Sequence, residues 1–124
     1  MNNTLLIIED NPDNFYLMKF LLEKNNFNII GADNGIDGIE MANNNEIMAI
    51  LLDIQLPEID GYEVARRLRK NPNLDLIPII AVTSYAMVGD KEQAFKVGAN
   101  GYIEKPINPD TFVSEIVHYI NKGV

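Results

Sequence analysis

A chain of 124 residues with 47% hydrophobic content is sized for one packed domain and leaves no room for a second. Ten Lys and Arg against 18 Asp and Glu give a net charge of -8, which works against binding nucleic acid or an anionic membrane, because both reward clustered positive charge. There is no cysteine, Met1-Asn2-Asn3-Thr4 lacks the basic stretch of a secretory signal, and no apolar run approaches the roughly 20 residues that span a bilayer, so a soluble cytoplasmic protein is expected.

Residues 5–8 are wholly apolar and read as a first strand, followed at once by Glu9 and Asp10. Asn11-Pro12 then opens a helix, pairing a side-chain oxygen that caps free amides with a proline at the first helical position, and Phe15, Met18 and Leu22 mark its buried stripe. A second strand over 28–32 and a second helix over 35–42 lead to a third strand over 48–52, which runs into Asp53. A third helix covers 62–69, and residues 71–75, with Pro72, form a turn. The fourth strand, 77–82, ends at Thr83. Gly89 interrupts the stretch after Thr83, and Asp90 with Gln93 resembles a capping pair, so the fourth helix starts near Asp90 and leaves 86–89 as a loosely held segment. A fifth strand over 101–103 precedes Lys105, and Asn108-Pro109 opens the last helix, whose stripe is Phe112, Ile116 and Ile120. His118 reads as an ordinary residue of that helix and the five Met as core filler.

Five strand and helix units in strict alternation mean a three-layer, doubly wound α/β sandwich on a five-stranded parallel sheet with right-handed crossovers. The first, third and fourth strands are almost wholly apolar, as strands covered on both faces must be. In such a sheet the C-terminal strand ends share one edge, so Glu9, Asp10, Asp53, Thr83 and Lys105 converge on a single crevice.

Three acids meeting there would repel one another, which raises their proton affinity or demands a cation. Oxygen-only ligands favour a hard ion, and Mg2+ fits best because it keeps several waters and uses only one or two carboxylates. Taken singly, Glu9-Asp10 is equally a solvated turn, Lys105 a surface lysine and Thr83 a hydroxyl bonded to backbone. Their matching positions at strand ends are what join them. With Asp53 as acceptor, an electrophilic phosphoryl group must lie in line with its carboxylate, and Mg2+ and Lys105 can quench the charge on the transferring oxygens. In Lys105-Pro106 the proline restricts the lysine to extended backbone and helps aim it.

Ile8-Glu9-Asp10-Asn11, Leu52-Asp53-Ile54-Gln55-Leu56-Pro57 with Gly61, Val82-Thr83-Ser84 and Tyr102-Ile103-Glu104-Lys105-Pro106, in this order, resemble the receiver domain of two-component response regulators. The resemblance runs over the whole chain, so residues 1–124 are expected to form one receiver domain. The stretch from Asp53 to Gly61, with Ala86-Met87 and Gly89-Asp90, is most similar to stand-alone receivers of the cell-division regulator type and to receivers of hybrid histidine kinases.

The resemblance implies a flavodoxin-like strand order of 2-1-3-4-5. It implies that Asp53 accepts a phosphoryl group from a phosphohistidine on a sensor histidine kinase or histidine phosphotransfer protein. Mg2+ is then held by Asp10, Asp53 and the Gln55 carbonyl, with Glu9 completing the acidic pocket, and such a protein catalyses only its own phosphorylation and dephosphorylation. Lys105 pairs with the phosphoryl oxygens, Thr83 turns its hydroxyl toward them, and Tyr102 changes rotamer, whereas Tyr102 read alone is an ordinary strand aromatic. A surface that includes residues 86–90, Tyr102 and Ile107 then signals to a downstream protein target, as a switch, a relay step or a phosphate sink. Many receivers carry two aspartates where this chain has Glu9-Asp10, and the extra methylene leaves open whether Glu9 touches the metal or a metal-bound water. Asn100-Gly101 replaces an acidic pair found in many dimerising regulators, which points to a monomer, and Gln55 and Tyr85 are placed to tune the lifetime of the phosphorylated state.

Three rival readings are weaker. A flavin protein of this architecture would place phosphate where Glu9 and Asp10 repel it. An aspartyl-phosphate hydrolase needs an acid two residues beyond its nucleophile, where this chain has Gln55. A receiver fold used only for docking has no need of the intact acid, Thr and Lys set.

Overall fold

The computed structural model describes residues 2–84 and 88–124. Its strands are β1 (Thr4–Ile8), β2 (Asn28–Ala32), β3 (Ala49–Asp53), β4 (Ile79–Thr83) and β5 (Gly101–Glu104), all parallel and ordered β2-β1-β3-β4-β5. The helices are α1 (Pro12–Glu23), α2 (Gly35–Asn44), α3 (Gly61–Arg69), α4 (Asp90–Lys96) and α5 (Phe112–Lys122), with a single 3-10 turn at Pro72–Leu74. This is the doubly wound, flavodoxin-like sandwich expected from the alternation of apolar runs.

The apolar runs are continuous because each strand supplies two cores. Leu5 and Ile7 of β1 pack with Met18, Leu22, Phe112 and Ile116 on the α1 and α5 side. Leu6 and Ile8 face the other way, onto Val64, Ala65 and Leu68 of α3 and Ala42 of α2. Every residue of β3 and β4 is buried, including the polar Asp53 and Thr83 that end them. A third, smaller cluster of Ile54, Ala81, Ala94 and Ala99 seats α4, with Tyr62 and Tyr102 packed against it. Of the methionines, Met18 is buried and Met41 and Met48 are partly buried, whereas Met1 and Met87 lie outside the described residues.

Local chemistry sets the helix starts at the sheet edge. Asn11 caps α1, its side chain accepting from the Asn14 N–H at 3.0 Å with Pro12 at the first position, as its sequence predicts. At two later starts, α4 begins at Asp90 as expected but with a different cap, and α5 begins later than its sequence suggests. Asp90 is the first residue of α4 and not its cap; Gly89 precedes it at φ 95 with no side-chain cap. The Asp90 carboxylate instead accepts from the Tyr62 hydroxyl at 3.3 Å. Likewise α5 begins at Phe112, because Asn108 spends its side-chain oxygen on the Asp110 N–H at 2.9 Å, closing a turn ahead of the helix. Ile107, expected on a signalling surface, is buried beside Phe112 in the α5 core, where its side chain is apolar filling. The expected loose segment 86–89 falls partly on residues 85–87, outside the described residues; Val88 is fully exposed in the turn before α4.

One glycine is demanded by the fold at the site. A Cβ on Gly61 would lie 2.5 Å from the Asp53 carbonyl oxygen and 2.5 Å from Ile54 Cα, both backbone atoms that cannot yield cheaply. Its N–H donates to the Ile54 carbonyl at 2.8 Å, so the start of α3 is fastened to the residues that carry the Asp53 carboxylate. Gly61→Ala should destabilise the protein by about 1–3 kcal/mol in urea unfolding. A variant as stable as wild type would show that α3 does not bear on β3 in this way.

Candidate functional site

Parallel pairing brings the strand ends together in register. Ile8 lies beside Leu52, Asp53 beside Val82, and Thr83 beside Glu104, so Glu9, Asp53, Thr83 and Lys105 lie at successive positions along one edge. The Glu9 N–H is held by the Ala32 carbonyl at 3.0 Å, and the Lys105 N–H by the Thr83 carbonyl at 2.8 Å, which extends the ladder one residue past each strand. Glu9, Asp53 and Thr83 are the buried polar or charged residues of the described chain.

The centre of the site is a buried charge cluster. Lys105 Nζ donates to Glu9 Oε1 at 2.5 Å and lies 3.5 Å from Asp53 Oδ2. Glu9 Oε2 accepts from the Asn11 N–H at 3.2 Å, and Asp53 Oδ1 accepts from the Gln55 N–H at 2.9 Å. Asp10 is exposed, but an oxygen from each of Glu9, Asp10 and Asp53 falls within 4.8 Å of the others. Burial pushes the Glu9 carboxyl up to about 7; Asp53 beside it adds to the rise and Lys105 opposes it. Carboxylates held this close carry more negative charge than one ammonium offsets, and their all-oxygen donor set suits a hard divalent cation.

Of the residues singled out from sequence, Glu9, Asp10, Asp53 and Lys105 meet directly. Gln55 joins through its backbone N–H, and its side chain is exposed in the loop before α3. Thr83 ends β4 one residue past Val82, the partner of Asp53, and is buried. Tyr102 sits further back on β5 beside Ala81 and packs against the α4 cluster; burial raises its hydroxyl pKa, as does the charge of Asp90 and Glu104. His118 is exposed on α5, in edge contact with Tyr119, away from this edge. Tyr85, expected to tune the site, lies outside the described residues. The Lys105–Pro106 peptide is cis.

Two contributors escaped the sequence reading. The Asn11 N–H, read only as part of a helix cap, also fixes Glu9. Tyr62, noted only as the start of a helix, spans 28 residues to bond Asp90, and burial together with Asp90 pushes its hydroxyl up to about 12. No local pattern announces that second contact, because it depends on the fold bringing the first residues of α3 and α4 together.

Comparison with known proteins agrees with this geometry. A family model for the response regulator receiver domain matches residues 5–117. The polar-differentiation response regulator DivK of Brucella anthropi is 38% identical over 120 residues, covering 97% of this chain and 98% of that protein. A putative response regulator from Chloroflexus aurantiacus superposes with a TM-score of 0.91 at 27% identity, covering 98% of this chain and 99% of that one. The receiver domain of a sensor histidine kinase from Pseudomonas aeruginosa, solved with a magnesium ion coordinated in its active site cleft, gives 0.88 at 30% identity, covering 98% and 99%. With its strand order, its acidic edge and these matches, the chain belongs to the response regulator receiver domain family, as a DivK-like response regulator of two-component signalling.

Proposed function

We propose that residues 1–124 form one receiver domain in which Asp53 takes a phosphoryl group from a phosphohistidine of a sensor histidine kinase or histidine phosphotransfer protein. The observation that carries this reading is the Asp53 carboxylate, buried yet held from one side by the Gln55 N–H and faced from the other by Lys105, with two more acids within ligand range. A buried carboxylate so placed is a fixed nucleophile. As an Asp53 oxygen forms its bond to phosphorus, the bond from phosphorus to the donor imidazole nitrogen breaks and the electron pair leaves with the imidazole. Lys105 and Thr83 then meet the oxygens of the phosphoryl group, and the protein's only catalysis is of its own phosphorylation and dephosphorylation.

Mg2+ suits the donor set, held by Asp10, Asp53 and the Gln55 carbonyl beside Glu9, and when bound it supplies positive charge to the transferring oxygens. Thr83 and Tyr102 act as the switch. A hydrogen bond from Thr83 to a charged phosphoryl group is worth roughly 1.5–3 kcal/mol, enough to move a two-state population by about one to two decades. The altered surface around α4 and β5 is read by a downstream protein target. A monomer fits the occupation of Asn100, whose side-chain oxygen accepts from Arg69 at 2.7 Å and from the Ile79 N–H at 2.9 Å within the same chain. Among the described residues no helix is long and apolar enough to cross a membrane, which accords with action in the cytoplasm.

Asp53→Asn should abolish acid-labile labelling by a phosphodonor with Mg2+, as read by radiolabel or intact mass; label retained on another residue would overturn the assignment. Thr83→Ala should still take up phosphate, but its free and phosphorylated forms should differ less in amide NMR spectra than those of wild type. Equal differences would remove Thr83 from the switch.

A third outcome concerns pH. In the metal-free protein the Glu9 pKa of about 7 lies above its ordinary 4.5, so folding takes up a proton between those values. The resulting stabilisation is complete below about 4.5 and lost as pH rises through 7. The stability of wild type relative to Glu9→Gln should therefore fall between pH 4.5 and 8 in metal-free urea unfolding. A difference independent of pH would show that Glu9 is not the group holding the proton.

A further inference from the structure

We propose that Glu9 is the resting counter-ion of Lys105, a positioning residue that holds the ammonium beside Asp53 and gives it up to the incoming phosphoryl group, while the cation is left to Asp10 and Asp53. This rests on the reading of Asp53 as acceptor and adds a role for the acid that the family resemblance leaves ambiguous. Three observations carry it. Lys105 Nζ donates its hydrogen bond to Glu9 and stands 3.5 Å from Asp53, beyond a strong hydrogen bond, so the cation's direct partner is Glu9. Both Glu9 oxygens are committed within the protein, one to Lys105 and one to the Asn11 N–H. Asp10, by contrast, is exposed and accepts no hydrogen bond among the described residues, which leaves its oxygens for a metal and its waters.

The length of the side chain explains the choice of acid. An aspartate at this position would be one carbon shorter, which draws the carboxylate back toward its own backbone and away from Lys105, whereas Glu9 reaches both Lys105 and the Asn11 amide. Without the Glu9 charge, the ammonium would turn to Asp53, its other close anion, and occupy the lone pairs that must attack phosphorus. The parked lysine thus keeps Asp53 reactive and stays one short movement from the phosphoryl oxygens.

The test is a double-mutant cycle at pH 8 with acetyl phosphate as donor and saturating Mg2+. Glu9→Gln should slow labelling by about tenfold or more in wild type but by less than about threefold in Lys105→Gln, because its effect passes through the lysine. Two readouts do not need turnover. In metal-free protein, Glu9→Gln should shift the Lys105 side-chain NMR signal and speed its proton exchange. In calorimetry with Mg2+ alone, Glu9→Gln should weaken binding at least about tenfold less than Asp10→Asn does. Glu9→Asp should repeat the NMR change with the charge retained, and it serves as the second arm if the Gln variant does not fold. Loss of Mg2+ affinity equal to that of Asp10→Asn, equal slowing with and without Lys105, or an unmoved Lys105 signal would each overturn the proposal. Labelling that survives in Asp53→Asn would instead sink the acceptor reading, and the NMR arm would still report on Glu9 and Lys105.

Discussion

A single buried ammonium, that of Lys105, ties the ends of three strands together through two carboxylates. Charges taken out of water cost several kcal/mol each, and an ion pair offsets that cost only where geometry is good and the remaining lone pairs are bonded. Here they are: backbone N–H groups from Asn11 and Gln55 satisfy the outer oxygens of Glu9 and Asp53, and among the described residues no buried side-chain nitrogen or oxygen is left without a partner. Both donors come from segments that the fold fixes independently. Asn11 is the cap of α1, and Gln55 follows β3 in a loop fastened by Gly61. The site is therefore an outgrowth of the sheet edge, held by the same backbone bonds that start the helices.

The two sides of the sheet are anchored differently. On the α1 and α5 side large residues such as Met18, Leu22 and Phe112 are wholly buried, and the helices run 12 and 11 residues. The packing under α4 is thinner. That helix has 7 residues, is preceded by a glycine without a side-chain cap, and seats its Ala94 against Ile54, Ala81 and Ala99, with Tyr62 and Tyr102 packed alongside. Small side chains bury little apolar area, so each contributes little to holding the helix in one place. The Tyr62 hydroxyl, bonded to Asp90 at the first turn, adds a polar link between α3 and α4. Thr83 ends β4, and its carbonyl holds the Lys105 N–H, so the end of β4 and the residue that follows β5 are fastened together at the site.

The sheet and its functional edge were legible because their signals are local. Runs of three to six largely apolar residues leading to Glu9 and Asp10, Asp53, Thr83 or Lys105 can be read one at a time, and parallel pairing then converts sequence position into spatial position. What sequence misplaced were choices between competing bonds for one side chain. Asp90 could cap its own helix or reach Tyr62, and Asn108 could cap α5 or close a turn; propensity does not rank such options, and packing does. Arg69 was invisible for a related reason. Its guanidinium binds the Gly98 and Leu74 carbonyls and Asn100, three groups brought together only when α3, the 3-10 turn and the start of β5 are already in place. The same bracket accounts for Asn100 before β5, whose oxygen has two donors inside the chain.

Charge balance at the edge connects the fold to the chemistry. Glu9, Asp10 and Asp53, when ionised, carry three negative charges and Lys105 one positive, which leaves two negative charges uncompensated. In the metal-free protein burial, with Asp53 adding to it, raises the Glu9 carboxyl to about 7, and its protonation relieves part of the imbalance. A divalent cation cancels the excess in one step, whereas a monovalent ion leaves a charge over. Removing either Glu9 or Lys105 changes that total in opposite directions, so the pair is interchangeable with nothing of a single sign. An isosteric neutral pair would preserve packing while leaving Asp10 and Asp53 as the two acids of the edge, and Asp53 would lose the only cation that the protein itself brings to it among the described residues. The lysine and the glutamate are thus a matched unit. Asp53 is buried beside an ammonium that it shares with Glu9, one strand away.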